Sequence, residues 1–313
     1  MESGMRMPAL NPQAWSHIMT NKSGRTMVGK KVVLGLLQMR MGKDRHDNLL
    51  HALSMIGKAA GRGANIVCLP ELFTSPYFAQ HEGGKEGAKK YSEAMPGETT
   101  RALSQAARKN RVVLVGGSIC EKDGAKLYNT TAVFDEDGKM LGKYRKTHIP
   151  HDECFFEKDC FAEGNLGFRV FGTTRGRIAP LICYDQWFPE AARAVALMGT
   201  EMVFYPTAIG TVKGIAQAEG SWQSAWENVM RGHAIANGMV VAAANRCGIE
   251  GKMDFWGGSF VCDAFGKTIA RAGGKEDVLI AEVDLGHGRA VRDGWGFFCN
   301  RRPGEYGIIA RRK

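Results

Sequence analysis

The segment Arg177-Ile-Ala-Pro-Leu-Ile-Cys-Tyr-Asp-Gln-Trp-Phe-Pro-Glu-Ala-Ala-Arg193 decides the fold, because an apolar, strand-like run passes directly into the start of a helix. Cys183 lies at the junction. A thiol at a sharp strand-to-helix turn lies near the positive end of the helix dipole, and this position favours the nucleophilic thiolate. A buried structural cysteine is the alternative interpretation, because free cysteine packs like a small apolar side chain.

The rest of the sequence repeats this alternation of strands and helices. Strands are predicted at 32–38, 64–69, 111–116, 128–135, 139–145, 168–171, 177–182, 202–205, 239–244, 259–263, 268–272 and 278–283, and helices at 46–60, 99–109, 188–198 and 222–237. No linker divides these elements, so residues 31–313 are predicted to form a single α/β domain whose sheets are covered by helices. Residues 1–30 show no clear period and are predicted to be an N-terminal extension.

Composition and charge limit the function classes. The net charge is +10, from 42 basic and 32 acidic residues, but the basic residues are spread along the chain, which favours a solvated basic surface over nucleic-acid binding. No apolar stretch approaches the ~20 residues of a membrane-spanning helix. Eight cysteines without a signal-peptide pattern predict free thiols in a reducing cytoplasm. Neither glycine-rich phosphate-binding motif is present, so nucleotide binding has no support.

Polar residues that end or follow apolar strands carry the candidate chemistry. Glu71, Lys146 and Cys183 each occupy such a position, and strand ends line the ligand crevice of α/β sheets. Together they form a coherent catalytic set, in which the thiol attacks a carbonyl carbon, the carboxylate transfers its proton, and the ammonium stabilises the oxyanion. Taken singly, Glu71 also fits a turn carboxylate and Lys146 a solvated basic residue.

The segments 68–78, 142–150 and 183–193 resemble the signatures of the nitrilase superfamily of carbon–nitrogen hydrolases. Residues 183–193, 204–210, 232–237 and Asn245-Arg246 resemble its N-carbamoylputrescine amidohydrolase branch in particular. The resemblance covers about residues 32–303. It implies an αββα sandwich that forms homo-oligomers, acts on a small-molecule amide or ureido substrate, and uses no metal or cofactor.

The resemblance also implies roles for individual residues. Glu71, Lys146 and Cys183 correspond to the catalytic glutamate, lysine and cysteine, and Glu157 to a second glutamate that orients the lysine. The backbone N–H of Tyr184 is expected in the oxyanion hole. The remaining residues expected to contact the substrate are Tyr77, Trp187 and Thr207.

The residues just after the nucleophile bear on the identity of the substrate. Relatives that hydrolyse N-carbamoyl amino acids tend to carry arginine where this chain has Gln186 and Trp187, so an uncharged or cationic substrate end is favoured. N-carbamoylputrescine fits this requirement. However, Val212, followed by Lys213, stands where plant-type members of the branch have an acid that meets the substrate ammonium. Glu219 and Asp254 are the candidate replacements, and the sequence does not place either of them.

Three alternatives remain. His148, His151, Cys154 and Cys160 have a spacing that is compatible with a zinc site, although the family signature already accounts for this loop. Another amidase of the superfamily, of the β-ureidopropionase, N-carbamoyl amino acid, aliphatic amidase or ω-amidase type, fits the same catalytic set. A non-enzymatic basic binding protein on the same scaffold is disfavoured, because such a protein has no need to retain all three catalytic residues.

Overall fold

The computed structural model describes residues 30–311, so the predicted extension, apart from Lys30, lies outside the described residues. The α-helices are α1 Arg45–Gly61, α2 Lys85–Tyr91, α3 Glu98–Asn110, α4 Glu157–Cys160, α5 Pro189–Leu197, α6 Trp222–Asn237 and α7 Leu285–Trp295. Short 3₁₀ helices cover Phe78–Gln80, Cys183–Trp187 and Pro303–Ala310. Between residues 30 and 311, no helix combines the length and apolar character needed to cross a bilayer.

The strands form two large sheets and one small sheet. They are β1 Lys31–Gln38, β2 Ile66–Cys68, β3 Val113–Val115, β4 Ile119–Asp123, β5 Lys126–Phe134, β6 Met140–Arg145, β7 Phe171–Thr173, β8 Gly176–Pro180, β9 Met202–Thr207, β10 Thr211–Val212, β11 Val240–Asn245, β12 Cys247–Glu250, β13 Met253–Trp256, β14 Phe260–Cys262, β15 Thr268–Arg271 and β16 Asp277–Asp284. The first sheet has the order β16-β1-β2-β3-β5-β4, with β6 also paired to β5, and the second has the order β15-β14-β11-β9-β8-β7. The small sheet has the order β10-β13-β12.

The two large sheets pack face to face and are covered by helices on their outer faces. Leu34 and Leu36 of β1 share one buried apolar cluster with Phe204 of β9 and Ala242 of β11, so the inner faces of both sheets form a common core. Apolar residues of α1 and α3 form a second cluster on the outer face of the first sheet, and those of α5 and α6 form a third cluster on the second sheet. The predicted αββα sandwich is confirmed.

The predicted elements differ from the structure mainly where periodicity is weak. The strand predicted at 168–171 is displaced, since β7 begins at Phe171 and Phe168 instead packs against the helix-covered face of the second sheet. Periodicity does not predict helix α7, because it contains three glycines, which disfavour helices in isolation. One of them, Gly288, lies so close to the backbone that an added Cβ would lie 2.7 Å from the carbonyl oxygen of Gly238, so tertiary packing selects glycine there.

Candidate active site

Glu71 lies in a tight turn after β2 that a buried arginine holds in place. The backbone N–H of Glu71 donates to the carbonyl oxygen of Thr207 at the end of β9, at 3.4 Å. The next residue, Leu72, has a left-handed backbone with φ of 48°. Arg246 closes the turn, donating from Nε to the carbonyl oxygen of Glu71 at 3.1 Å and from Nη2 to that of Ser75 at 2.9 Å. The carboxylate therefore sits on a rigid support that joins the two large sheets.

Lys146 directly follows β6, and its ammonium lies between two buried carboxylates. Nζ is 2.8 Å from Oε1 of Glu71 and 2.9 and 2.7 Å from the two oxygens of Glu157. Asn129 Nδ2 donates to Oε1 of Glu71 at 2.7 Å, and the Tyr77 hydroxyl donates to Oε1 of Glu157 at 2.8 Å. In the described part of the chain, the second oxygen of Glu71, Oε2, is buried without a hydrogen-bond partner. This oxygen is therefore free to accept a proton.

Burial and pairing act in opposite directions on the charges of this cluster. Burial alone lowers the pKa of Lys146, but the carboxylates of Glu157 and Glu71 outweigh it and raise that pKa above its usual value. Burial raises the pKa of Glu157, the ammonium of Lys146 opposes this effect, and the Glu71 carboxylate adds to it, so the net shift is upward. Lys146 is consequently a fixed positive charge at neutral pH.

Cys183 is the first residue of its 3₁₀ helix and has a left-handed backbone with φ of 42°. Its Sγ is buried, 3.9 Å from the carbonyl oxygen of Ala208. Burial raises the pKa of this thiol well above its usual value, Glu71 adds to the rise, and Lys146 opposes it. Burial therefore opposes the ionisation of the thiol that the turn position predicted. The five-residue 3₁₀ helix supplies little dipole to offset this burial, since α5 begins only at Pro189.

A buried carboxylate fixes the position of this turn relative to Lys146. Asp185 accepts hydrogen bonds from the backbone N–H of Ile182 at 2.9 Å, the hydroxyl of Tyr144 at 2.7 Å and the backbone N–H of His148 at 3.0 Å. The Nδ1 atom of His148 lies 2.8 Å from the same carboxylate. Because Asp185 and His148 each lie two residues after a candidate catalytic residue, their pairing couples Cys183 to Lys146. Sequence reasoning missed this contact.

The zinc interpretation loses its ligand set in the structure. The two histidines face different carboxylates. Nδ1 of His148 lies 2.8 Å from Oδ1 of Asp185, and Nδ1 of His151 lies 3.9 Å from Oδ1 of Asp159. Cys154 and Cys160 are buried in an apolar cluster. Across residues 30–311, no group of three or more His, Cys, Asp or Glu side chains is arranged to hold a metal ion.

The candidate catalytic cluster opens onto a cavity of about 450 Å³, a volume suited to a small linear molecule. Aromatic side chains supply much of its wall. Apart from the thiol and one tyrosine, the ionisable groups in the wall are acids and a histidine, and among the described lining residues there is no lysine or arginine. The lining residues include Asp152, Glu157, Cys183, Tyr184, Trp187, Glu219 and Trp222.

Comparison with known proteins identifies the family. The carbon-nitrogen hydrolase family model matches residues 33–293. The chain belongs to the carbon–nitrogen hydrolase family. It is 39% identical over 288 residues to the N-carbamoylputrescine amidase of Solanum lycopersicum, covering 89% of this chain and 94% of that protein. It is 37% identical over 288 residues to the citrullinase of Francisella tularensis, covering 90% of this chain and 99% of that protein.

Solved structures agree with this membership. A carbon–nitrogen hydrolase from Helicobacter pylori G27 superposes with a TM-score of 0.86 at 37% identity, covering 90% of this chain and 99% of that one. A glutamate-to-glutamine mutant of an amidase from Nesterenkonia sp. AN1 has a TM-score of 0.74 at 25% identity, covering 89% and 97%, and shows covalent addition of the acetamide moiety of fluoroacetamide at its active-site cysteine. This carbon–nitrogen hydrolase is thus an amidohydrolase of the nitrilase superfamily, as its motifs predicted.

Two of the four predicted substrate contacts of this hydrolase lie at the cavity, and two lie behind it. Tyr184 and Trp187 line the cavity, as expected of residues that touch a substrate. Tyr77 and Thr207 are fully buried and are not lining residues. Tyr77 uses its hydroxyl on Glu157, and the Thr207 hydroxyl donates to the carbonyl oxygen of Tyr205 at 2.9 Å. Glu71 and Lys146 are equally buried and also lie behind the lining residues, so contact of Tyr77 and Thr207 with a substrate stays a prediction.

The residues expected to determine substrate choice in this hydrolase do not all lie at the cavity. Gln186 is fully buried and accepts a hydrogen bond from Nε1 of Trp226 at 2.8 Å, so only Trp187 of the expected pair faces the cavity. Val212 is buried in an apolar cluster with Met253 and does not line the cavity. Position 212 thus supplies no carboxylate for a substrate ammonium, and an acid for that role must come from another part of the chain.

Proposed function

We propose that this hydrolase uses Cys183 to cleave small linear N-carbamoyl amines, with N-carbamoylputrescine as the preferred substrate and putrescine, carbon dioxide and ammonia as products. The observation that carries the proposal is the buried ammonium of Lys146, held between Glu71 and Glu157 beside the cavity that Cys183 lines. A cation fixed in this way is a suitable stabiliser for an oxyanion.

The proposed reaction has two halves. Glu71 accepts the thiol proton through its unpaired Oε2, and the sulfur attacks the carbamoyl carbon while Lys146 and the backbone N–H of Tyr184 stabilise the oxyanion. Glu71 then returns the proton to the departing amine nitrogen, which releases the diamine and leaves a carbamoyl-thioester on Cys183. Water, deprotonated by Glu71, hydrolyses the thioester to the free thiol and carbamic acid, which decomposes to carbon dioxide and ammonia.

The similar proteins support the reaction class, and their names bear on the choice of substrate. The tomato relative is an N-carbamoylputrescine amidase, and the Nesterenkonia amidase forms a covalent bond at its active-site cysteine. Citrulline, the substrate implied by the name of the Francisella relative, carries both an ammonium and a carboxylate at the end remote from its ureido group, whereas N-carbamoylputrescine carries an ammonium alone. A cavity whose described lining has acids and no lysine or arginine disfavours that carboxylate.

The decisive experiment measures ammonia and putrescine released from N-carbamoylputrescine by the full-length protein and by two cysteine variants. Cys183→Ala should abolish product release with an unchanged melting temperature. Cys299→Ala is the matched control, because Cys299 is exposed and does not line this cavity, and it should retain full activity. Activity that survives Cys183→Ala contradicts the cysteine mechanism, and an inactive unmodified protein contradicts the proposed substrate.

We also propose that the chain forms a homo-oligomer. Exposed apolar side chains gather where α5 meets the C-terminal 3₁₀ helix: Leu197 is 44% exposed, Ile309 is 64% exposed, and the two line one surface depression. Burying such a patch against a second copy removes apolar surface from water. Light scattering should report a multiple of the monomer mass, and Ile309→Asp should lower it; a monomeric unmodified protein contradicts the proposal.

A further inference from the structure

The loop between β10 and α6 places a carboxylate in the wall of the catalytic cavity. Glu219 lies in this loop and lines the cavity together with Trp222, the first residue of α6. Nε1 of Trp222 donates a hydrogen bond to Oε1 of Glu219. Gln217 accepts from the backbone N–H of Trp222 at 2.9 Å, and the Ser221 side chain caps α6. The carboxylate is therefore held at the cavity by a structured helix start.

The charges around this carboxylate leave the cavity wall negative. Asp152 is a second acid in the wall, and the ammonium of Lys146, beside the cavity, lies between Glu71 and Glu157. Nearby lysines outside the wall do not compensate for this charge. Lys252 pairs with Glu153 at 3.2 Å, and Lys213 is exposed and is not a lining residue.

We propose that Glu219 is the specificity-determining residue that selects a substrate ending in an ammonium group. The inference rests on the proposed amidohydrolase function and assigns the far end of its substrate. The carboxylate of Glu219 binds the ammonium by a charge-assisted hydrogen bond, Asp152 adds negative potential, and the indoles of Trp187 and Trp222 pack along the alkyl chain. The loop before α6 therefore supplies the carboxylate that the buried Val212 does not provide.

The assignment can be tested with three ureas that share a four-carbon chain. They differ in the group at the far end, which is an ammonium, a methyl group or a carboxylate. Glu219→Gln should lower kcat/KM for the ammonium-ended urea about tenfold, the loss expected for one charged hydrogen bond, and should change the methyl-ended urea less than about twofold. Glu219→Lys should reverse the order of the ammonium-ended and carboxylate-ended ureas. Because Glu219 is exposed, both variants should keep the melting temperature of the unmodified protein.

The matched control is Asp254→Asn, which removes an exposed acid on the neighbouring β13 that does not line the cavity. It should leave all three kcat/KM values unchanged. The inference is overturned, while the amidohydrolase function stands, if Glu219→Gln lowers kcat/KM equally for the three ureas. It is also overturned if Glu219→Gln leaves kcat/KM for the ammonium-ended urea unchanged. If the unmodified enzyme hydrolyses none of the three ureas, the proposed function is overturned, and the inference with it.

Discussion

Tyr77→Phe removes one hydroxyl from the buried carboxylate cluster and leaves the packing intact. The ring of Tyr77 contacts Phe155 and Phe255 edge to face, with centroids 6.1 and 5.7 Å apart, and phenylalanine preserves both contacts. The hydroxyl donates to Oε1 of Glu157 at 2.8 Å, in a site without solvent exposure. The substitution therefore isolates one charge-assisted hydrogen bond.

The size and sign of the effect follow from this bond. A hydrogen bond to a charged group contributes about 1.5–3 kcal/mol, and one pKa unit corresponds to about 1.4 kcal/mol. The Tyr77 hydroxyl favours ionised Glu157, so its loss should raise the pKa of Glu157, already raised by burial, still further. If ionised Glu157 holds Lys146, kcat falls as the pH drops through that pKa. The acid limb of the pH profile should therefore move to higher pH, and kcat on that limb should fall about tenfold or more, the loss expected for one charged hydrogen bond.

The assay is kcat and KM for N-carbamoylputrescine against pH, with Tyr91→Phe as the control. Tyr91 lies in the same apolar cluster and donates its hydroxyl to the carbonyl oxygen of Lys43 at 2.9 Å, away from the catalytic carboxylates. The control should lose stability without moving the acid limb. An increase in KM at unchanged kcat in Tyr77→Phe would refute the positioning role and indicate direct contact with the substrate.

Three further predictions concern charge, thiols and metals. Lys146→Met should abolish activity and lower the free energy of unfolding in urea by about 3–5 kcal/mol, because two buried carboxylates lose their counter-ion; a smaller loss would mean that the site rehydrates. A bulky disulfide reagent should modify the exposed Cys299 first. In Cys299→Ser, the rate at which the reagent modifies Cys183 should rise continuously from about pH 7 to about pH 9, because the pKa of this thiol is raised. A rate that reaches a plateau within this range would indicate a preformed thiolate. EDTA should leave activity unchanged, because the described residues contain no metal-binding group, and strong inhibition would restore the zinc interpretation.

Sequence periodicity predicted one α/β domain with helix-covered sheets because both large sheets are built from strands with strong apolar patterns, whereas the αββα arrangement was implied by the family resemblance. The candidate catalytic residues at the ends of those strands could be predicted for the same reason; they are Glu71, Lys146 and Cys183. Their supporting contacts were not, because they join distant positions: Asn129 lies 58 residues from the Glu71 that it contacts. The one available signal was the position of the Asn129 amide side chain inside a predicted strand.

The turn after Cys183 shows a second limit of sequence reasoning. Adjacent residues of a short 3₁₀ helix face different directions, so the sequence did not reveal that Gln186 is buried while Trp187 faces the cavity. A similar limit applies to the loop before α6. Only the folded chain shows that Glu219 lines the cavity and that Asp254 does not.

The raised pKa of Cys183 gives the charge balance of the cluster a direct role in the proposed mechanism. With a neutral thiol, the two carboxylates and one ammonium carry a net charge of about −1. When Glu71 takes the proton, one negative charge moves from the carboxylate to sulfur, so the number of buried charges does not change. Attack then moves that charge to the oxyanion. Lys146 is thus a fixed cation against which a single negative charge migrates, and a thiolate preformed in the resting enzyme would add a further buried anion that one lysine cannot balance.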